Sequence, residues 1–203
     1  MSSEQSSDSN AVEVDGIRFE TVVPERVLSI PKKNVVQKLL YVLQCLSPTL
    51  PQHPYPSVSV QIGLRITNNT STPLRFSFYF TLSPELIGVD GQIPLEGGWF
   101  STTAPIESDF PSIMAGESAT FFPDARIFWL WGNQFGLSLA TGNGGTVSFQ
   151  PLKLGTYQFR FTYNNPNSVE TSYGSASTDK TLIEELWTGH VPTPFVEFCL
   201  VKS

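Results

Sequence analysis

The chain has 203 residues, a net charge of −6 and a pI near 4.9. Only 12 Lys and Arg residues stand against 18 Asp and Glu, so the chain is a poor binder of polyanions such as nucleic acid. Hydrophobic residues make up 40% of the chain, which is enough for a sizeable core, and frequent Gly and Pro are typical of short strands joined by turns.

The first ten residues are polar and acidic, which predicts a disordered tail at 1–10 ahead of a single domain at 11–203. They lack the basic and apolar regions of a secretory signal, and no apolar run approaches the roughly 20 residues that span a bilayer. We therefore expect a cytoplasmic protein without a membrane span. Within the first strands, Asp15-Gly16 between apolar residues predicts a tight hairpin turn.

Residues 31–57 differ from the rest of the chain and are predicted to form an insertion. Apolar residues recur there at helical spacing, and they are Val35, Val36, Leu39, Leu40, Leu43 and Leu46. This spacing predicts a short amphipathic helix at 34–46, with Asn34 as its cap; a strand continuing from Ile30 is the alternative. The Pro-rich stretch at 47–57 predicts a linker that ends the helix.

Strict alternation of apolar and polar residues predicts most of the remaining elements to be strands. Residues 58–66 and 74–82 each alternate, and the turn between them makes the pair a hairpin or a corner between two sheets. The turn contains two glycosylation-type sequences, Asn68-Asn69-Thr70 and Asn69-Thr70-Ser71, which we interpret as turn residues. Further along, the pattern predicts strands at 118–122, 127–131 and 196–200, a hairpin at 135–149 with a glycine-rich tip at 141–145, a polar loop at 164–180 and a helical turn at 181–186.

The most regular pattern lies at 152–163, where four aromatic residues alternate with polar ones: Tyr157, Phe159, Phe161 and Tyr163. Because side chains along a strand point to opposite faces, one face of this strand is aromatic and the other is polar. The turn before it, Leu154-Gly155-Thr156-Tyr157, resembles the tyrosine corner of immunoglobulin-like sandwiches. In that corner the tyrosine hydroxyl bonds to backbone a few residues upstream.

Four stretches together resemble uncharacterised bacterial immunoglobulin-like domains. They are Ile62-Gly-Leu-Arg-Ile-Thr-Asn-Asn-Thr70, Met114-Ala-Gly-Glu-Ser-Ala-Thr-Phe-Phe122, Leu154-Gly-Thr-Tyr-Gln-Phe-Arg-Phe-Thr-Tyr163 and Leu186-Trp-Thr-Gly-His-Val-Pro-Thr-Pro-Phe-Val-Glu-Phe198. The first two are also loosely similar to intracellular proteinase inhibitor domains of the BsuPI type. The resemblance implies an all-β, immunoglobulin-like antiparallel sandwich, interrupted by the insertion at 31–57, and it brings no catalytic residues with it.

The residues that usually carry chemistry are few and scattered. The two histidines, His53 and His190, lie in predicted loops, so we expect no metal site and no cofactor. Cys45 and Cys199 lie outside any CxxC motif; we interpret both as reduced, buried residues, and a long-range disulfide is the alternative. Without a nucleophile elbow or a phosphate-binding loop, the sequence predicts no enzyme.

The four tryptophans are the candidate contact residues. In a strand at 127–131, Trp129 and Trp131 share one face. Burial in a central strand is the favoured interpretation, and an exposed pair that stacks on a sugar or a partner is the alternative. Trp99 and Trp187 lie beside glycines and are interpreted as loop anchors or contacts.

We therefore predict a non-catalytic protein-interaction or structural module whose partner is another protein. An intracellular proteinase inhibitor and a carbohydrate-binding module that uses Trp129 and Trp131 are the alternatives. The predicted binding surfaces are the loops that such a scaffold presents, at 47–57, 88–110, 141–145 and 164–180. The sequence leaves the oligomeric state open.

Overall fold

A computed structural model describes residues 10–30, 57–99, 103–130, 134–174 and 179–202. These residues are all-β, as predicted, with eighteen strands and one three-residue 3-10 helix at Glu107–Asp109. The strands are β1 (Ala11–Val14), β2 (Ile17–Val22), β3 (Val27–Ile30), β4 (Ser57–Val60), β5 (Gly63–Asn68), β6 (Leu74–Arg75), β7 (Leu82–Gly88), β8 (Leu95–Trp99), β9 (Ser112–Ile113), β10 (Ser118–Phe121), β11 (Ala125–Trp129), β12 (Phe135–Ala140), β13 (Thr146–Leu152), β14 (Gly155–Asn165), β15 (Glu170–Tyr173), β16 (Lys180–Ile183), β17 (Gly189–Pro192) and β18 (Val196–Lys202). The predicted tail, apart from Asn10, and the predicted helix at 34–46 with Cys45 lie outside the described residues, as do residues 47–56 of the Pro-rich stretch with His53.

The first sheet has four antiparallel strands in the order β1-β2-β5-β10. Its first hairpin turns at Asp15 and Gly16, which have φ angles of 51° and 73°. Two successive residues of positive φ are the signature of the tight hairpin turn that an Asp-Gly pair favours. The predicted hairpin at the start of the domain is therefore confirmed.

The second sheet has five antiparallel strands in the order β4-β11-β12-β13-β8. Strands β12 and β13 form the hairpin that the sequence predicts at 135–149. β11 lies between β4 and β12, so it is a central strand, as the favoured interpretation of 127–131 requires. β8 lies at one end of the order and pairs with β13 alone among the described strands.

The third sheet is organised around β14. Strand β7 pairs along one side of it, while β18 and then β17 pair along the other. The terminal strand β18, predicted at 196–200, also pairs in parallel with β3. β14 therefore has hydrogen-bonded partners along both of its edges, and its aromatic face, with Tyr157, Phe159, Phe161 and Tyr163, is buried.

Two of the predicted strands are wrong in extent. Residues 58–66 form two strands, with β4 in the second sheet and β5 in the first, joined by Gln61 and Ile62. Residues 74–82 are mostly irregular, since Phe76 and Phe78 donate their amides to the carbonyls of Pro111 (3.0 Å) and Asp109 (2.8 Å). The chain therefore passes between sheets here, which was the predicted alternative to a hairpin.

The predicted polar loop at 164–180 and helical turn at 181–186 are also corrected. β14 extends to Asn165, and β15 pairs with β16 in a separate two-stranded sheet. Short polar strands such as Glu170–Tyr173 lack the apolar alternation on which the prediction depended. Cross-strand backbone hydrogen bonds, which the sequence pattern does not show, decide their conformation.

The predicted tyrosine corner is confirmed by its hydrogen bonds. The Tyr157 hydroxyl accepts a hydrogen bond from the amide of Lys153 (2.8 Å) and donates one to the carbonyl of the same residue (2.9 Å). The hydroxyl thereby fixes the turn that carries the chain from the second sheet into the third. Burial raises the pKa of this hydroxyl, which keeps it protonated and able to donate.

One hydrophobic core contains residues of the three large sheets. At its centre, the rings of Phe19, Phe76, Tyr163 and Trp187 lie 5.2 to 6.4 Å apart. The Tyr163 hydroxyl accepts a hydrogen bond from the amide of Ser77 (3.2 Å), so the buried polar atom is satisfied.

A buried polar link joins the first and third sheets. At Phe161, where β14 changes partner from β18 to β17, the amide donates to Thr21 Oγ1 (3.1 Å). Thr193 Oγ1 donates its one hydrogen to the Phe161 carbonyl (2.9 Å). In the 2.6 Å hydrogen bond between the two threonine hydroxyls, Thr21 is therefore the donor and Thr193 the acceptor. Thr21 thereby satisfies the Phe161 amide, while the Phe161 carbonyl also accepts a hydrogen bond from the Thr193 amide (3.0 Å).

Candidate functional site: an apolar sheet edge

The structure places the tryptophans in different environments. Trp129 is buried, with 8% of its surface exposed, and packs against Phe135 with ring centroids 6.4 Å apart. Trp187 is half-buried in the central aromatic cluster, where it serves as an anchor. Trp131 lies outside the described residues. Trp99, with 59% of its surface exposed, is therefore the described tryptophan that is available for contact.

Trp99 belongs to β8, whose sequence is Leu-Glu-Gly-Gly-Trp. β8 pairs antiparallel with β13, and Leu95 and Trp99 lie opposite Gln150 and Thr146. Since side chains alternate along a strand, Leu95, Gly97 and Trp99 share one face. With 75% of Leu95 exposed as well, this face presents two large apolar side chains to solvent on either side of a glycine.

The chain just before β8 adds to this apolar surface. Val89 and Ile93, in the loop from β7, have 62% and 75% of their surfaces exposed. The loop is held by backbone hydrogen bonds from Gly88 to Gln92 (2.9 Å) and from Val89 to Thr156 (3.3 Å). We call Val89, Ile93, Leu95 and Trp99 the apolar edge, because these four exposed large hydrophobic residues fall within eleven consecutive positions.

The edge of the first sheet is built differently. The polar side chains of β10 are tied to its neighbour, since Ser118 shares a hydrogen bond with Thr67 (2.7 Å) and Thr120 accepts one from Arg65 (3.4 Å). Polar and charged side chains on an edge strand discourage pairing with another chain. β8 lacks this protection: Glu96 is its one charged residue, and it contains no proline.

The glycine-rich tip at 141–145, a predicted binding surface, is held in place by its own hydrogen bonds. Asn143 is buried, and its Oδ1 accepts hydrogen bonds from Thr141 Oγ1 (2.6 Å) and the Gly145 amide (3.2 Å). A Cβ on Gly142 would collide with the Phe78 carbonyl, so glycine is required there by the close approach of two backbones.

A shallow apolar depression, partly open to solvent, lies beside this tip. Phe80 is at its rim, with a φ of 56°, a conformation that is strained for a bulky residue. The depression encloses far less space than a small-molecule site, and its walls are almost entirely apolar. They are formed by Phe78, Phe80, Leu82, Pro84, Phe121, Pro123, Leu139, Ala140, Thr141, Gly142 and Phe161. Without converging polar groups, the depression does not define a specific ligand site.

A pair of opposite charges links β7 to β14. Arg160 Nη2 lies 2.7 Å from Glu85 Oε2, and Thr162 Oγ1 donates to Glu85 Oε1 (2.9 Å). The hydrogen bond from Arg160 lowers the pKa of Glu85 below its ordinary value of 4.5. The guanidinium also lies 4.5 Å from the centre of the Phe195 ring. Because both carboxylate oxygens are occupied by cross-strand partners, this group is structural.

The described residues contain no group of three or more His, Cys, Asp or Glu side chains that could hold a metal ion. His190 is exposed on β17 instead of lying in a loop, and Cys199 is half-buried on β18 with a free thiol. No helix in the described ranges is both long enough and apolar enough to cross a bilayer.

Comparison with protein-family models, with curated proteins and with solved structures found no match to this chain. The functional assignment therefore depends on geometry. Of that geometry, the sequence indicated Trp99 and the range 88–110 but missed β8, because Glu-Gly-Gly interrupts the alternation that marks a strand. The sequence signal that could have identified β8 is the pair of large apolar residues, Leu95 and Trp99, on either side of Gly97 and Gly98.

Proposed function

We propose that this protein is a non-catalytic interaction module that binds an extended segment of another protein along β8. The observation that carries the proposal is the free side of β8, which no described strand occupies and which is lined by exposed apolar side chains. An edge strand presents a row of backbone N–H and C=O groups, and an extended segment can add to it as a further strand.

The geometry of the apolar edge suits this kind of recognition. Backbone hydrogen bonds along an added strand supply affinity, while alternate side chains supply specificity. Leu95 and Trp99 would contact alternate side chains of the incoming segment on one face of the sheet. Gly97 has no side chain between them, which leaves room for a large residue of the partner.

The scaffold holds the edge ready for binding. β8 is fixed by five residue pairs with β13, and the tip that follows β12 is anchored by Asn143. A preformed strand loses little conformational freedom when it binds, which favours affinity. We further propose that this scaffold is an immunoglobulin-like sandwich, supported by its antiparallel sheets and by the Tyr157 corner.

The carbohydrate-binding alternative loses half of its predicted surface, because Trp129 is buried against Phe135. The proteinase-inhibitor alternative and the cytoplasmic location stay predictions made from the sequence.

Selection of peptides from a random displayed library, followed by measurement of their dissociation constants, tests the proposal. We expect selected peptides to be extended, with alternating apolar residues, and to slow amide hydrogen exchange in β8. The double variant Leu95→Lys, Trp99→Lys should weaken binding at least about tenfold, which corresponds to about 1.4 kcal/mol.

A matched control replaces two exposed apolar residues outside the apolar edge, Val27→Lys and Leu182→Lys, and should leave the affinity within about twofold. Equal binding by the two double variants would refute recognition at β8. Turnover of a substrate that is abolished by one point mutation would refute the non-catalytic assignment.

A further inference from the structure

We infer that β8 also pairs with β8 of a second copy of this chain, antiparallel and about a two-fold axis through Gly97. This inference rests on the proposed function, because the strand that adds to the free side of β8 is here β8 of a second copy. It would join the two five-stranded sheets into one continuous sheet. Closed two-fold pairs are the commonest form of homo-oligomer.

Hydrogen-bond geometry restricts the registers that such a pair can adopt. In an antiparallel ladder, opposite residues are either both hydrogen-bonded or both not, and this state alternates along each strand. Neighbouring residues of one strand are in different states, so a strand that pairs with its own copy cannot place residue i opposite residue i+1. One residue must instead lie directly opposite its own copy, and we describe that residue as lying on the two-fold axis. For β8 the central choices are Glu96, Gly97 and Gly98.

Charge separates the first of these registers from the others. With Glu96 on the axis, the two Glu96 carboxylates lie directly opposite each other, and like charges opposite each other destabilise a pair. With Gly97 on the axis, each Glu96 lies opposite Gly98 of the other copy. The only charged residue of the strand then faces a residue without a side chain.

Apolar contact separates the remaining two registers. With Gly97 on the axis, Leu95 lies opposite Trp99 of the other copy, and the contact occurs twice by symmetry. Apolar side chains that lie opposite each other, one of them aromatic, stabilise a cross-strand pair. With Gly98 on the axis, Trp99 lies opposite Gly97, and Leu95 lies outside the overlap, which shrinks to three residues. Only the Gly97 register covers both exposed side chains and separates the charges.

The net charge of −6 per chain opposes this association. Salt screens repulsion between exposed charges, with a screening length of about 10 Å at 0.1 M ionic strength and about 3 Å at 1 M. The contacts within the pair are apolar and backbone contacts, which salt does not weaken. We therefore expect the dimer to become more stable as ionic strength rises.

Sedimentation equilibrium of the full chain over a range of concentrations and salt tests the association. We expect the mass to rise from 22.4 kDa toward twice that value with concentration, and at lower concentration in high salt. The Leu95→Lys, Trp99→Lys variant should stay monomeric, while the Val27→Lys, Leu182→Lys control should associate as the unaltered chain does. A dimer that survives the first variant, or a chain that is monomeric throughout, would overturn the inference.

Cross-linking tests the register. With Cys45 and Cys199 replaced by Ser, Gly97→Cys should form a disulfide-linked dimer, because residues opposite each other in an antiparallel pair have Cα atoms roughly 4.5–5.5 Å apart, within disulfide range. A Cβ at Gly97 meets only Ser148 Oγ at 3.6 Å, so the side chain fits. Glu96→Cys in the same background should cross-link at least about tenfold more slowly, because its copies lie beyond that range.

Cross-linking at Glu96→Cys that is as fast as at Gly97→Cys would overturn the inferred register. The two proposals fail separately. A monomeric chain whose peptide binding still depends on Leu95 and Trp99 refutes self-pairing and keeps the proposed function. A chain that binds no peptide but dimerises through β8 refutes binding to a different protein and keeps the self-pairing.

Discussion

β14 and β8 both carry aromatic side chains, and they use them in opposite ways. β14 buries Tyr157, Phe159, Phe161 and Tyr163 in the common core, whereas β8 presents Trp99 and Leu95 to solvent. β14 has partner strands on both sides, whereas β8 has a described partner on one side alone. Two properties therefore separate the strands: β14 packs its aromatic face into the core, whereas β8 has an exposed apolar face and no described partner on one edge.

The largest difference between these two strands should appear on truncation to alanine. Phe159→Ala removes a fully buried ring at the centre of β14 and should lower the free energy of unfolding by about 3–5 kcal/mol. Trp99→Ala removes a larger but exposed ring and should change it by no more than about 0.5 kcal/mol. Urea denaturation followed by circular dichroism measures both. Similar losses for the two variants would contradict the contrast.

The second largest effect is expected at Phe161, where β14 changes partner and a buried hydrogen bond can be compared with an exposed one. Thr21→Val keeps the side-chain volume but leaves the Phe161 amide without its acceptor, so unfolding should become easier by about 1–3 kcal/mol. Thr120→Val, on the exposed edge strand β10, is the matched control and should have little effect. If both variants shift the urea midpoint equally, the buried link does not join the sheets as described.

A smaller effect is expected at the turn that leads into β14. Tyr157→Phe removes the hydroxyl that bonds both the amide and the carbonyl of Lys153 and should lower the free energy of unfolding by about 1 kcal/mol. Peptide binding at β8 should be unaffected. An unchanged denaturation midpoint would contradict the stabilising role of the corner.

The smallest effect concerns pH. The pKa of Glu85 is lowered in the folded protein, chiefly by the hydrogen bond from Arg160, so its contribution to stability is present above the unfolded pKa, near 4.5. That contribution is lost as the pH falls through the lower folded pKa. Because Glu85 is partly exposed, we expect about 0.2–1 kcal/mol between the unaltered chain and Glu85→Gln at pH 7.

The stability difference between the unaltered chain and Glu85→Gln should shrink toward zero as the pH falls below the unfolded pKa and through the lower folded pKa. Urea midpoints measured for both proteins from pH 7 to pH 3 follow it. A difference that stays constant with pH would show that the carboxylate charge is not what stabilises the contact between β7 and β14.

Local patterns in the sequence were sufficient for elements in which every second residue enters the core. The Asp15-Gly16 turn, the hairpin around 141–145, the strand at 157–163 and the hydroxyl of Tyr157 all lie as predicted. In these elements the turn chemistry and the period of two agree with the final burial, so short-range information is enough.

The same period of two was misleading where the chain changes sheets. Residues 58–66 alternate without interruption, yet they divide between two sheets, since either sheet can bury the same apolar face. Phe80 continues the alternation of 74–82, yet it is exposed, because its positive φ turns the chain away. Tertiary hydrogen bonds, such as that from Phe78 to Asp109, decide these points.

By itself, then, the sequence determined that this protein is all-β, that its core is aromatic and that Tyr157 closes a corner, because those properties follow from the chemistry of neighbouring residues. Only the tertiary structure decided which tryptophan is buried and which is exposed, and that β8 lies at an edge with Leu95 and Trp99 on one face. The reason is physical: exposure depends on which distant strands come to lie alongside, and no local pattern encodes that.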